Sequence, residues 1–239
     1  TNLVATDKMV DSPTNNFATM NPLDQDGEPA FSEGNLKIST VTGSHEEQTT
    51  GTIQNKTGKW YYETYMTGSG NYEAVGVKTT ASPIDTWAGG DSGHWVYYSE
   101  GKIVHGGTTT DTTPVSFTAG DIIGCAIDLD NGELYWSKNN TWITSSGGVC
   151  NPVTRANPCY SDLSGDIVPF ILTYDSGATM TTDFGQDGSF AGAKTAQGNQ
   201  DENEIGDFYY APPSGFLALC TSNMDDPEIK LPGDNFNTV

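Results

Sequence analysis

A chain of 239 residues with 35% hydrophobic content is long enough to bury the core of one large β-sandwich, and its 28 glycines and 12 prolines fit frequent turns better than long helices. The formal charge of −21, from 31 acidic against 10 basic residues with Arg155 the only arginine, leaves no Lys/Arg cluster to displace counterions from a phosphate backbone, so no nucleic-acid partner is expected. No apolar run approaches the roughly 18 residues of a spanning helix and no signal-peptide pattern is present, so no membrane insertion is expected. The acidity is read as a source of solubility rather than as a calcium-binding face.

In chain order, residues 1–34 read as a polar, turn-rich lead-in packed on the core through Phe17, Met20 and Leu23. Residues 35–222 read as the sandwich, and 223–239 as a C-terminal tail open to further sequence. Strands are expected at 35–42, 50–54, 60–67, 73–78, 95–99 and 102–105, a spacing that suits a sandwich. A β-hairpin follows in FTAGDIIGCAIDLDNGELYWSKNNTW, residues 117–142. Its first arm alternates Ile123, Cys125, Ile127 and Leu129 on one face with Ile122, Gly124, Ala126 and Asp128 on the other. Asp130, Asn131 and Gly132 supply the turn, and 133–137 resume the alternation. Further strands are expected at 167–174, 178–184 and 216–220, with an acid-rich solvated loop at 193–207.

Four cysteines form no zinc pattern. Cys125 and Cys220 sit in apolar runs and read as core residues, whereas Cys150 and Cys159 bracket the loop NPVTRANP and form a candidate disulfide under oxidising conditions. No catalytic constellation, metal site or cofactor is expected. Glu63 and Glu73 are isolated in sequence, and the acids at 24–28 and 128–132 complete no calcium loop and read as turn formers. His45, His94 and His105 have no motif partner that would activate a Ser or Cys. The candidate binding residues are the aromatics in and beside TWAGGDSGHWVYY: Trp87, His94, Trp95, Tyr97 and Tyr98, with Trp87 and His94 the most loop-like. Alternation would send about half of them into the core, and Trp60, Trp136 and Trp142 read as structural.

Several segments together resemble the SPRY domain. GKWYYE at 58–63 is similar to its opening strand, AVGV at 74–77 to its short glycine-containing strand, and YYSEGKIVHGG at 97–107 to its central hairpin. GDIIGCAIDLDNGELYWSKNNTW, IVPFI at 167–171 and TTDFGQDGSF at 181–190 follow in the family's order. The resemblance implies an all-β fold, a bent two-sheet antiparallel β-sandwich of the concanavalin A-like jelly-roll kind. The flanks at 11–24, 31–39 and 212–229 resemble segments around SPRY-like domains in bacteriophage virion proteins, marine phages above all. That implies a non-enzymatic virion module, a tail or fibre appendage or a capsid decoration. It would act as a homo-oligomer at the particle surface and contact other virion proteins, a host receptor or a glycan. The alternative is a lectin-like carbohydrate-binding module or a glycan-degrading enzyme on the same fold.

Overall fold

A computed structural model describes residues 15–41, 45–68, 70–84, 87–110, 115–144 and 148–225. Its strands are β1 Met20–Asp26, β2 Ala30–Ser32, β3 Lys37–Ser39, β4 Glu47–Gly51, β5 Lys59–Met66, β6 Ala74–Thr79, β7 His94–Tyr98 and β8 Ile103–His105. They continue with β9 Thr108–Thr110, β10 Ile122–Asp128, β11 Glu133–Lys138, β12 Thr141–Trp142, β13 Ile167–Thr173, β14 Thr179–Asp183 and β15 Leu217–Ala218. One sheet runs β1-β4-β13-β6-β7-β8-β9 and the other β12-β11-β10-β5-β14-β3-β2, all antiparallel, with β15 added in parallel beside β5. The all-β, two-sheet sandwich expected from the pattern of short strands is the fold observed.

The two-residue period decides which side chains meet between the sheets. Val75, Val77, Trp95, Tyr97 and Ile171 from the first sheet face Tyr62, Ile123, Cys125, Ile127, Leu134 and Trp136 from the second. Tyr62 also donates its hydroxyl hydrogen to the Gly76 carbonyl across the sandwich, at 2.6 Å. Gly76 has to be glycine, because a Cβ there would stand 2.1 Å from the Trp95 carbonyl oxygen on the paired strand.

The hairpin forms in the expected register, from Asp128 opposite Glu133 to Ile123 opposite Lys138. Of the three turn residues singled out, only Gly132 takes a positive φ, 68°. The alternation extends one strand further than expected. Asn139 and Asn140, with φ 48° and 64°, make a tight turn that sends β12 back along β11. The expected strand at 35–42 is shortened at its start, since Glu33, Gly34 and Asn35 form a left-handed turn between β2 and β3. At its other end the Val41 amide is taken by the Glu47 carboxylate at 3.0 Å. Leu23 is not an anchor: it is 96% exposed, whereas Phe17 and Met20 are buried.

Central strands are buried on both faces, including all of β7, β10 and β13. The outer face of the second sheet, where Tyr61, Ala126 and Tyr135 project, is covered by Phe208, Phe216, Ala218 and Cys220 from the C-terminal segment and by Phe17. The stretch 193–207 is largely exposed, as expected of a solvated loop, with Asp201 its one buried residue. Asp201 ties the loop to the cover: one carboxylate oxygen accepts the Asn203 and Ile205 amides at 2.9 and 3.0 Å, and the other the Ala218 amide at 2.8 Å. This acid satisfies backbone donors, while Glu202 and Glu204 stay exposed.

Cys150 and Cys159 are free thiols, so the disulfide expected between them is not formed. Cys150 joins the outer cluster with Phe208 and Tyr135, whereas Cys159 lies in the inner core, 3.7 Å from the Ile143 carbonyl. The intervening loop closes without a covalent tie, through reciprocal Asn151 and Ala156 amide bonds at 2.9 and 3.0 Å. Its Arg155 also grips Glu133 with two guanidinium nitrogens, the shorter contact being 2.7 Å. Burial pushes the Cys150 thiol up to about 11 and that of Cys159 to about 12, so both stay protonated.

Candidate interaction surface

The loop between β6 and β7 carries Trp87, which with Tyr72 is one of two aromatics about half exposed among the described residues. It is pinned at its base, where the Thr79 amide donates to the Gly93 carbonyl at 2.8 Å. Inside it, Asp91 Oδ1 accepts the Ser82 hydroxyl at 2.6 Å and the Gly93 amide at 2.8 Å. Those two bonds hold the Asp91 carboxyl below its usual range. The loop then lies back over the outer face of the first sheet, where Ala88 and Ile84 pack on Val96, Tyr98, Val104 and Phe170. Gly89 makes the close approach possible: it has φ 82°, and a Cβ would come within 2.8 Å of Val104.

Trp87 rides on this platform. It is 49% exposed, with one ring edge over Gly90. Tyr98 donates to the Ala88 carbonyl at 2.7 Å. The Ala88 amide donates to Glu46 Oε2 at 3.3 Å, and Gln48 donates to the same oxygen at 2.7 Å. Burial raises the Glu46 carboxyl, and nearby Asp26 adds to the rise. Next to Glu46 an open groove of about 380 Å³ is lined by Asp26, Gly27, Glu28 and His45. The result is a half-exposed indole on a loop whose next residue is tied to Glu46, near an acidic groove.

The other four candidate residues do not join Trp87 at the surface. Trp95 and Tyr97 point inward: Trp95 is 2% exposed, stacks on His105 at 4.6 Å and donates its indole hydrogen to Asp162 at 2.9 Å. Tyr97 packs on Phe117 and Trp136 and donates to the Val115 carbonyl. His94 and Tyr98 point outward but are covered by the loop that precedes them. His94 is fully buried, its Nε2 2.8 Å from the Pro83 carbonyl while Nδ1 accepts the Gly89 amide at 3.4 Å. Burial lowers the basicity of its imidazole, which suits a structural, neutral ring. The binding candidates therefore reduce to Trp87, because alternation and loop cover account for the rest.

In the acidic segments at 24–28 and 128–132, Asp24, Asp128 and Asp130 have protein partners, whereas Asp26 and Glu28 line the open groove. Asp128 is buried, paired with Lys59 at 2.9 Å and bonded to the Asn131 side chain, and Asp130 accepts the Gly58 amide at 2.7 Å. Asp24 accepts the Thr50 hydroxyl at 2.6 Å. Two features escaped the sequence reading. Val149 and Val153 are exposed on the loop where a disulfide was expected. Glu63, isolated in sequence, is the cross-strand partner of Asp183. Both of these acids are sealed from solvent, Glu63 at 0% and Asp183 at 1% exposure, so no sugar could reach between them.

An antiparallel two-sheet sandwich with outer faces covered by its own segments defines an all-β sandwich domain. The SPRY domain family matches residues 59–187, more than half of the chain, and the chain belongs to that family. The dual specificity protein kinase splA of Dictyostelium discoideum is 31% identical over 84 residues, which cover 35% of this chain and 4% of that protein. The E3 ubiquitin-protein ligase RKP of Arabidopsis thaliana is 32% identical over 102 residues, 42% of this chain and 8% of that protein. Ran-binding protein 9 of Xenopus laevis is 23% identical over 175 residues, 69% of this chain and 29% of that protein. The chain thus spans only a small part of the length of these relatives. The crystal structure of the SPRY domain of human HERC1 superposes with a TM-score of 0.55 at 18% identity, covering 68% of this chain and 96% of that one, a likeness of fold.

Proposed function

We propose that the domain is a non-catalytic protein-binding module whose contact surface is centred on Trp87. The observation that carries this reading is the half-exposed indole beside Ala88, whose loop packs back on the first sheet and is tied to Glu46. A large amphipathic aromatic with few rotatable bonds costs little entropy when it docks, which is the character of an interface anchor. The shared segment occurs within a kinase, a ubiquitin ligase and a Ran-binding protein by their names, and a part common to such different proteins is better explained by recognition than by chemistry. The sealing of Glu63 and Asp183 argues against the glycan-degrading alternative. In its finer form the reading places the module on a virion surface, as a homo-oligomer contacting particle proteins, a host receptor or a glycan. Support for that form comes only from the flanking segments' resemblance, and none of the relatives above is named as a virion protein.

The test is a photo-crosslinking residue placed at position 87, with Val153 as the control position. A protein adduct formed only from position 87, competed by excess wild-type chain but not by Trp87→Ala, supports the reading. Saturable binding on a glycan array that Trp87→Ala abolishes without unfolding overturns it in favour of the lectin.

A further inference from the structure

Beneath the C-terminal cover, two carboxyl groups face each other across adjacent strands with no cation between them in the register. Glu63 on β5 is the direct cross-strand partner of Asp183 on β14, and Gly124 on β10 stands on its other side. A Cβ at Gly124 would come within 2.7 Å of the Tyr61 hydroxyl, so glycine leaves that space to the tyrosine. The two acids are equipped differently. Glu63 Oε1 accepts the Tyr61 hydroxyl at 2.9 Å and the Tyr210 amide at 3.0 Å, and its Oε2 accepts the Tyr209 amide at 2.9 Å. That is a set of donors for an ionised carboxylate. Asp183 Oδ1 accepts the Gly185 and Asp187 amides at 2.7 and 3.0 Å, but its Oδ2 is buried with no hydrogen-bond partner. A bare anionic oxygen in that position is far more costly than a neutral hydroxyl.

We propose that Asp183 keeps its proton on Oδ2 in the folded domain, and that its loss to solvent unlatches the cover at Tyr209 and Tyr210 from the second sheet. Glu63 is the only anchor through which those two amides touch the sheet, so the latch and the proton share one site. The groups facing the pair set its sense. Tyr61 is on β5, Cys125 on β10, Asp187 in the turn after β14, Tyr209 and Tyr210 on the cover, and Asp121 acts on Tyr210 from the entry to β10. The charges acting on Asp183, Glu63 and Asp187, are both acidic. Burial pushes Glu63 up to about 7 against its three hydrogen bonds, and burial followed by the Glu63 charge pushes Asp183 well above the usual range. Acids whose folded values are raised stabilise the fold fully below the ordinary carboxylate range and lose that contribution as pH rises through the folded values. The latch is therefore closed in acid and loosens above neutrality.

Hydrogen exchange at the Tyr209 and Tyr210 amides tests this, with the Cys125 amide of β10 as the control for global unfolding. Where one proton is linked, each pH unit changes the opening constant about tenfold, so the excess over an unstructured peptide should grow steeply as pH rises above the ordinary carboxylate range. Asp183→Asn, a neutral stand-in for the protonated acid, should remove that excess above about pH 7, where Glu63 is already ionised, and leave the exchange at low pH unchanged. Wild-type protein whose Tyr209 and Tyr210 amides track the peptide across this range overturns the proposal without any variant. So does an Asp183→Asn protein that keeps the excess.

Discussion

Replacing Trp95 and Trp87 one at a time separates the core from the contact surface. Trp95 is buried on the inner face of β7, stacked on His105 at 4.6 Å, and its removal leaves a void that the sandwich closes only in part. Trp→Ala at such a position costs about 3–5 kcal/mol, which for a domain of this size is about 2–4 °C of Tm per kcal/mol and so a fall of roughly 6–20 °C. Trp87 is 49% exposed, so it withdraws about half of the roughly 150–250 Å² that an aromatic buries. At about 25 cal/mol per Å² that is roughly 2–3 kcal/mol as an upper bound, since the unfolded chain already shields part of it and alanine keeps a share. Equilibrium urea unfolding should therefore show Trp95→Ala losing more stability than Trp87→Ala, with the slope m unchanged in both. Equal losses, or a Trp95→Ala protein within about 1 kcal/mol of wild type, would refute the assignment of Trp95 to the core and Trp87 to the surface.

The four cysteines should all titrate as thiols once the chain is unfolded without reductant, and react slowly in the native protein because each is buried; recovery of only two thiols would restore the Cys150–Cys159 tie. Tyr62→Phe removes the 2.6 Å bond to the Gly76 carbonyl across the sandwich and should cost about 1–2 kcal/mol in the same urea assay. Phe208→Ala should cost about 3–5 kcal/mol, because this ring is fully buried 5.3 Å from that of Tyr61. A Phe208→Ala protein as stable as wild type would refute the cover that 208–220 lays on the second sheet.

Most strands were legible because one face of each is continuously apolar, and a period of two leaves little freedom in assigning it. Ile123, Cys125 and Ile127 fall where alternation puts them. What alternation could not show is that the opposite face is covered too. Phe208 and Phe216 are isolated aromatics in a stretch rich in Gly, Asp and Asn, with no period to betray an element, and they bury by docking on Tyr61, Ala126 and Tyr135. The short strand β12 did leave a signal that went unread. Asn139-Asn140 is the residue pair of a tight hairpin turn, but the two-residue strand after it is too brief to show a pattern.

The candidate site was half legible, for the same physical reason. In HWVYY, residues 94–98, alternation alone removes Trp95 and Tyr97 from the surface. Nothing local reveals that the preceding loop folds back and seals His94 and Tyr98, because that depends on Gly89 meeting Val104. The pairing of Glu63 with Asp183 is likewise a matter of register between strands far apart in sequence. Both cases follow from a sandwich whose outer faces are closed by its own segments. In such a fold a polar residue on the solvent-facing half of a strand is not thereby exposed, and an acid there must find donors or keep its proton. Contact with a partner then falls to side chains that the covering segments themselves present, which is the position Trp87 occupies.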